Sequence, residues 1–376
     1  TANELRHFTM KPPAAAETWV SLNPLDGDAY PLLDRVRDLT ERMIAIKQSS
    51  ATIGFVTNPF NPRWRLIKPN QTLDEMLVPW RNLVANLGNA IFVGSIELPK
   101  NSANYVFQKG DLGIMLVWND NTRIEQTFLG ENIQITDIWG KPLSFDSVEI
   151  RPGAVEQSFA VSPWPIIIHG VDVDVVRFRQ AFQLQVDNLV SQIGSEVPVP
   201  VHMENALPFS AAGKLAMVSP SLLKGGRAEV QVQLPSARGL DMSIPAYIRN
   251  DASAGSHQLR FDFDLVAGKP YRFSLYRSLK LGAGDVELVW EVIRKNADSV
   301  ELRVEVENQT SEVLNFDCKL SPPGKPYQRF QLRELPIGKS QQDVPVFISE
   351  EAEEREVWLR CEQIGSGRIL NYRLKM

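Results

Sequence analysis

The spacing of apolar positions changes character once, near residue 88. Before it, after a polar, proline-bearing stretch around one apolar patch, "TWVSLNPL", residues Leu32, Val36, Leu39, Met43 and Ile46 recur at alternating spacings of four and three. That is the one-sided stripe of an amphipathic helix. Asp28 as cap and Pro31 in the first turn place it over 31–47. "ATIGFV" (51–56) then reads as a short buried strand, and "TNPFNPRWRLIKPNQ" as a loop rich in Asn and Pro. A second helix is expected over 72–87, with Thr72 and Glu75 in capping-box spacing. Leu73, Met76, Leu77, Trp80, Leu83, Val84 and Leu87 line one face of it; Pro79 is expected to kink it and Gly88 to end it.

After Gly88 the period becomes two. "AIFVGSIEL", "ANYVFQ", "GIMLVWN", "IEQTFLG", "NIQITDIWG", "SVEIR" and "PIIIHG" follow at the close intervals of an antiparallel sandwich. Beyond 170, Phe182/Leu184/Val186, Val197/Val199/Val201/Met203, Val230/Val232/Leu234 and Leu259/Phe261/Phe263/Leu265 alternate with polar residues, as in strands with one buried face. In the last unit Val300, Leu302, Val304 and Val306 alternate with Glu301, Arg303, Glu305 and Glu307, partnered by Val286, Leu288, Trp290 and Val292. The fold expected is mainly β: an αβα segment (1–88), a β-sandwich (89–170), and two immunoglobulin-like sandwiches (171–266 and 267–376). Each of the last two has roughly 100 residues and about seven strands.

A chain of 376 residues suits several domains, and its 43% hydrophobic content suits packed cores. The net charge of −5, with no Lys/Arg block longer than a pair, argues against a nucleic-acid or anionic-membrane surface. No apolar run approaches the ~18 residues of a membrane span; His169, Asp172 and Asp174 break the longest. The N-terminal stretch lacks the basic start and apolar core of a signal peptide. Cys318 and Cys361 fit one disulfide or two buried free thiols, and their positions inside strands favour thiols.

No catalytic constellation emerges. His7, His169, His202 and His257 are scattered, and only His202 with Glu204 shares a strand face; metal sites need three or four convergent ligands, so no metal or cofactor is implied. Asp172 and Asp174 read as a solvated strand face. Trp118 and Trp290 read as core and Trp80 as part of the helix stripe, while Trp358 reads as inward-facing. Tyr327 and Phe330, in "PPGKPYQRF", form a weak candidate for an interaction edge, and "EEAEERE" (350–356) reads as a solvated segment. In "ITDIWGKP" (135–142), Asp137, Trp139 and Gly140 make a tight connection between antiparallel strands. Asp137 has no catalytic partner nearby, so the turn reads as a docking hairpin with Trp139 resting on the helix pair. The two helices and single strand leave apolar faces uncovered; these should pack on the adjacent sandwich or on another chain.

"WVSLNPL…YPLLDRVRDLTERMIAIKQSSATIGFVTNPF" and "TLDEMLVPWRNLVANLGNAIFVGSIEL" resemble the end of a (β/α)8 barrel in glycoside hydrolases running into its C-terminal β-sandwich. "ANYVFQKGDLGIMLVWND", "LGENIQITDIWGKP" and "PWPIIIHG" resemble strands of that sandwich. The following unit, "FQLQVDNLV…", with Asn205 ending a strand and Pro220 before the next, is similar to immunoglobulin-like modules appended to bacterial galactosidases and related secreted enzymes. The resemblance implies a secreted, periplasmic or cell-surface protein with an upstream barrel as partner, or a homologue without one. It also implies possible contact with polysaccharide. In such a barrel, the loop holding Asn58, Arg63, Trp64 and Arg65 would lie on the active-site face, where a flat indole suits the C–H face of a pyranose. The departure is chemical: glycosidases use two carboxylates, and no glutamate leaves either barrel-type strand. Asp26 alone reads as a turn former. The function expected is therefore non-catalytic and accessory. The alternatives are a structural or adhesion protein without carbohydrate function, and an enzyme using Asp26, Asn58 and Arg63.

Overall fold

The computed structural model describes residues 18–49, 51, 53–191, 196–236, 238–282, 286–295, 299–322, 326–347 and 356–375. His7 and all but the last residue of the acidic run at 350–356 lie outside them. Strand β1 (Trp19–Ser21) pairs in parallel with β2 (Ile53–Phe55), and helix α1 (Leu32–Gln48) makes the crossover that a parallel pair requires. The stripe of α1 is buried at Val36, Leu39, Met43 and Ile46. Its N-cap is Pro31, in extended conformation. Asp28 does not cap it; the Asp28 N–H instead donates to Asp26 Oδ1 at 2.9 Å, closing a turn.

Helix α2 is shorter than the periodicity suggests, Leu77–Leu87. The Thr72 N–H and hydroxyl both bond Asn70, so no capping box forms. Asp74 makes the entrance, its side chain accepting from the Met76 N–H and its carbonyl from the Leu77 N–H. Pro79 thereby falls in the first turn, where an N–H has no intrahelical acceptor to lose, and the expected kink does not arise.

The helices cover one face of a six-stranded sheet, ordered Ile91–Gly94, Ala103–Lys109, Leu112–Trp118, Ile166–Val171, Gln134–Asp137, Pro142–Leu143. Leu39, Ile44, Met76 and Leu83 share one core with Phe107, Ile114, Leu116, Trp118 and Ile167. The opposite face packs on a three-stranded sheet of Arg123–Thr127, Ala154–Val161 and Asp146–Arg151, enclosing Met115, Val117, Phe159 and Ile168. "GIMLVW" is apolar at every position because it is buried on both faces. The apolar helix faces are thus largely covered by the adjacent sandwich, while Leu73 and Val84 of the expected second stripe stay exposed.

Helix α3 (Val173–Ala181) follows the sheet where a strand-like pattern was expected. Asp172 does not share a strand face with Asp174: it caps α3, its carboxylate accepting from the N–H groups of Asp174 and Val175 at 3.1 Å. α3 inserts Val176 into the first sandwich and Val175 and Phe178 into the second.

The second sandwich has a three-stranded sheet (Gln183–Leu184, Glu196–Glu204, Gly239–Tyr247). Its five-stranded sheet is ordered Asn188–Leu189, Lys269–Leu281, Gly255–Ala267, Ala211–Val218, Arg227–Leu234. Residues 267–272 are a hairpin inside this domain, not a junction: Gly255–Ala267 pairs with Lys269–Leu281 along its whole length. The second unit therefore extends past 266 to the end of that strand. The third sandwich packs Val286–Lys295, Ser299–Asn308 and Gly338–Phe347 against Gln328–Leu335, Leu314–Ser321, Glu356–Gln363 and Ile369–Lys375. Lettered in chain order, these are sheets A-B-E and C′-C-F-G, an immunoglobulin-like arrangement.

One buried side chain repeats in both modules. Asn205 sits just beyond Glu196–Glu204 and donates to the carbonyls of Phe209, Leu234 and Pro235, while its own oxygen accepts from the Leu207 N–H. Asn308 ends the matching strand, donates to the carbonyls of Glu312 and Leu335, and accepts from the Thr310 N–H. Each amide ties the end of strand B to its own loop and to the end of strand C′.

Candidate binding cleft at the second joint

The loop resembling an active-site loop is held shut by its own side chains. Asn58 turns the backbone by accepting from the Phe60 N–H at 3.0 Å. Arg65 approaches Asp74 at 3.3 Å, and Asp74 also meets Arg35 of α1 at 3.4 Å. Trp64 is half-buried, its indole nitrogen enclosed without a hydrogen-bond partner. Arg63 is the exposed member, 4.0 Å from Asp26. Asn58, Arg63 and Arg65 are thus each engaged by a different partner within this segment.

The "ITDIWGKP" turn is built on Asp137. Its Oδ1 accepts from the N–H groups of Trp139 at 2.9 Å and Lys141 at 2.8 Å, and Gly140 takes φ +90°. Asn82 of α2 donates to the Ile138 carbonyl at 3.0 Å, and Trp139 packs on Trp164 within the helix-sheet core. The turn docks α2 onto the sandwich. His202 bonds Asp241 at 2.8 Å with Glu204 at 3.8 Å, and these carboxylates raise its pKa. Burial lowers that of His169. No group of three metal-ligating side chains occurs among the described residues.

The sheet of the third sandwich assembles what the local sequence does not. Val357, Leu359 and Cys361 point inward, so Trp358 and Arg360 point outward; Trp358 is not a core residue as its neighbours suggested. Ser321 and Arg373 flank Trp358 on adjacent strands, and Lys319 and Asn371 flank Arg360. Tyr327 stands in line with Arg329 on the same face, while Phe330 turns inward and packs on the core. Cys318 and Cys361 are register partners beneath this face, buried with their sulfurs 2.7 Å apart.

A sheet face alone is flat. Here it becomes a cleft because residues 249–254 of the second sandwich rest on its last strand. Asn371 donates to the carbonyls of Asn250 (3.2 Å) and Ala252 (2.9 Å), and the Ala254 N–H donates to the Asn371 carbonyl at 2.7 Å. The resulting cavity of about 530 Å³ is lined by Trp358, Tyr327, Lys319, Arg329, Arg360 and the Asn250–Asp251 edge. That is the size of a small-ligand site, with aromatic walls and polar groups that can orient hydroxyls or anions. A second cleft, about 440 Å³, lies at the joint of the first two sandwiches beside Tyr271, Lys269 and Arg272.

No protein-family model matches the chain, and no curated protein matches it. Among solved structures it is similar to red sea bream transglutaminase (12% identity, 54% of this chain and 32% of that one, TM-score 0.23). It is also similar to a DUF4785 family protein from Legionella pneumophila (10%, 73% and 92%, TM-score 0.24). A third is a Salmonella alpha-2-macroglobulin mutant (11%, 73% and 23%, TM-score 0.26). The chain spans about a third of the transglutaminase and a quarter of the macroglobulin, and scores this low carry no functional argument. No described helix is long and apolar enough to cross a membrane.

Proposed function

We propose that this chain is a non-catalytic accessory region of a secreted glycoside-hydrolase-like protein, serving as structural support and contacting polysaccharide. The observation that carries the reading is the single core shared by the parallel β1–α1–β2 unit, α2 and the six-stranded sheet. A barrel-type edge fused to a sandwich in this way suits a brace, because neither part can move without exposing the other's apolar face. The sugar contact is assigned to the second-joint cleft, where an outward tryptophan, a tyrosine and amide groups meet on a rigid sheet.

A glycan array probed with the whole chain tests the reading. Binding that Trp358→Ala abolishes, with an unchanged far-UV spectrum, supports it. A flat array favours a scaffold or adhesion role instead. Turnover of aryl-glycosides by the purified chain would overturn the non-catalytic assignment.

A further inference from the structure

The cations of the second-joint cleft stand in a row. Arg329 and Lys319 are register partners on adjacent strands, and so are Lys319 and Arg360. Like charges directly opposite one another destabilise a sheet, so three in line impose a cost that the fold itself does not need. Arg373 is a register partner of Trp358, with its guanidinium 4.6 Å from the ring centroid, and Arg329 lies 5.3 Å from the ring centroid of Tyr327. Stacking of this kind fixes the plane of the Arg329 guanidinium while leaving its N–H edge available to an anion.

The carboxylates nearby do not balance the row. Glu362, one residue pair beyond the cleft beside Asp317, bonds Arg360 at 2.7 Å and lies 3.7 Å from Lys319. Asp251 is engaged by Arg249 at 2.7 and 2.6 Å. Arg329 has no carboxylate partner among the described residues. The first-joint cleft behaves differently: Lys269 there lies between Glu131 (3.8 Å) and Asp172 (3.9 Å). The second-joint cleft therefore carries a surplus of positive charge in a chain of net charge −5.

We infer that the second-joint cleft binds an acidic glycan, a sugar chain bearing carboxylate or sulfate groups; this rests on the polysaccharide-contact reading above. The cation row crosses adjacent strands at about 4.8 Å per step, close to the advance of one pyranose in an extended chain, so successive acidic sugars can each meet a cation. Trp358 and Tyr327 bound the ring faces, and the amide-bearing edge meets hydroxyls.

Titration calorimetry of the whole chain with tri-galacturonate and with its fully methyl-esterified form tests this, since esterification removes each charge at the cost of one added methyl group. The acid is expected to bind at least about tenfold more tightly than the ester, and Arg329→Gln or Lys319→Gln to weaken it about tenfold. Lys319→Gln is also expected to raise the unfolding temperature of the ligand-free chain, because it relieves the row. A sulfated oligosaccharide competing for the acid identifies the shared anionic chemistry. Equal affinity for acid and ester overturns the inference and leaves polysaccharide contact standing. Acid binding that both variants leave intact places the ligand elsewhere and overturns the site. Binding of neither probe overturns the inference, and the glycan array with neutral sugars then decides the broader reading.

Discussion

The two joints between the sandwiches are built from opposite chemistry. At the first, Arg151 reaches across to Asp264, Asp262 (3.8 Å) and the Phe263 carbonyl (3.0 Å). Arg277 donates to the carbonyls of Arg179 and Phe182, and Arg179 to Thr127 at 3.0 Å. Burial raises the Glu156 pKa, lowers that of Arg179 to about 10, and pushes Tyr276 up to about 12. At the second, the bonds are mainly between neutral amides: Asn371 to Asn250 and Ala252, Ala254 to Asn371, and Ile369 to the Ser191 carbonyl at 3.0 Å. Buried charges tolerate few arrangements, because each must find its counter-charge from the neighbouring domain. Neutral amides fix position without adding charge, so they bring no counter-charge to the adjacent cleft, where Glu362 serves both Arg360 and Lys319 and Arg329 has no carboxylate partner among the described residues.

The sharpest way to break this contrast is Arg151→Ala. It leaves Asp264 and Asp262 short of a buried cation, and a loss of about 3 kcal/mol is expected. Calorimetry should resolve separate unfolding of the first and second sandwiches; a single unshifted transition would refute the role of charge at that joint. Asn371→Ala should cost less, about 2 kcal/mol for its stranded carbonyls. That loss should stay constant between low and high salt, whereas the loss from Arg151→Ala should change. Glu156 sets a finer test. Its folded pKa lies above the ordinary 4.5, so its contribution is fully present below 4.5 and is lost as pH rises through the raised value. Stability measured upward from pH 4.5 should fall more steeply in the native chain than in Glu156→Gln; parallel curves would remove Glu156 from the account. The smallest effect belongs to exposed His202. Its NMR titration midpoint should lie above 6.5 and drop in Asp241→Asn, with no measurable change in unfolding.

Elements with one dominant environment were legible in the sequence. The stripe of α1 and the unbroken "GIMLVW" follow from burial on one face and on two, respectively. The Asp137 turn is local chemistry, complete within five residues. α3 was not legible, because "VDVDVV" keeps a period of two across the end of a strand and the first turn of a helix. Trp358 was misplaced for a related reason: Val357 and Leu359, not Trp358 itself, reveal which face is inward. The cleft depends on register, since Asn250, Lys319, Arg329 and Arg360 come from four separate segments. The recurrence of Asn205 and Asn308 is hidden because the partners are main-chain carbonyls, which leave no side-chain signature.

The parallel pairing of Asn188–Leu189 with the end of Lys269–Leu281 sets how the second sandwich carries tension. These are an entering and a leaving segment of one domain, so a pull on its two ends drags them in opposite directions along their shared axis. Their hydrogen bonds, including Lys280 N–H to Asp187 and Gly282 N–H to Leu189, must then shear together instead of opening one at a time. The third sandwich begins with Val286–Lys295 and ends with Ile369–Lys375 in different sheets, and among the described residues the two do not pair. In single-molecule stretching the second sandwich should therefore yield at the higher force, and as a brace it would be the part of the chain that resists load.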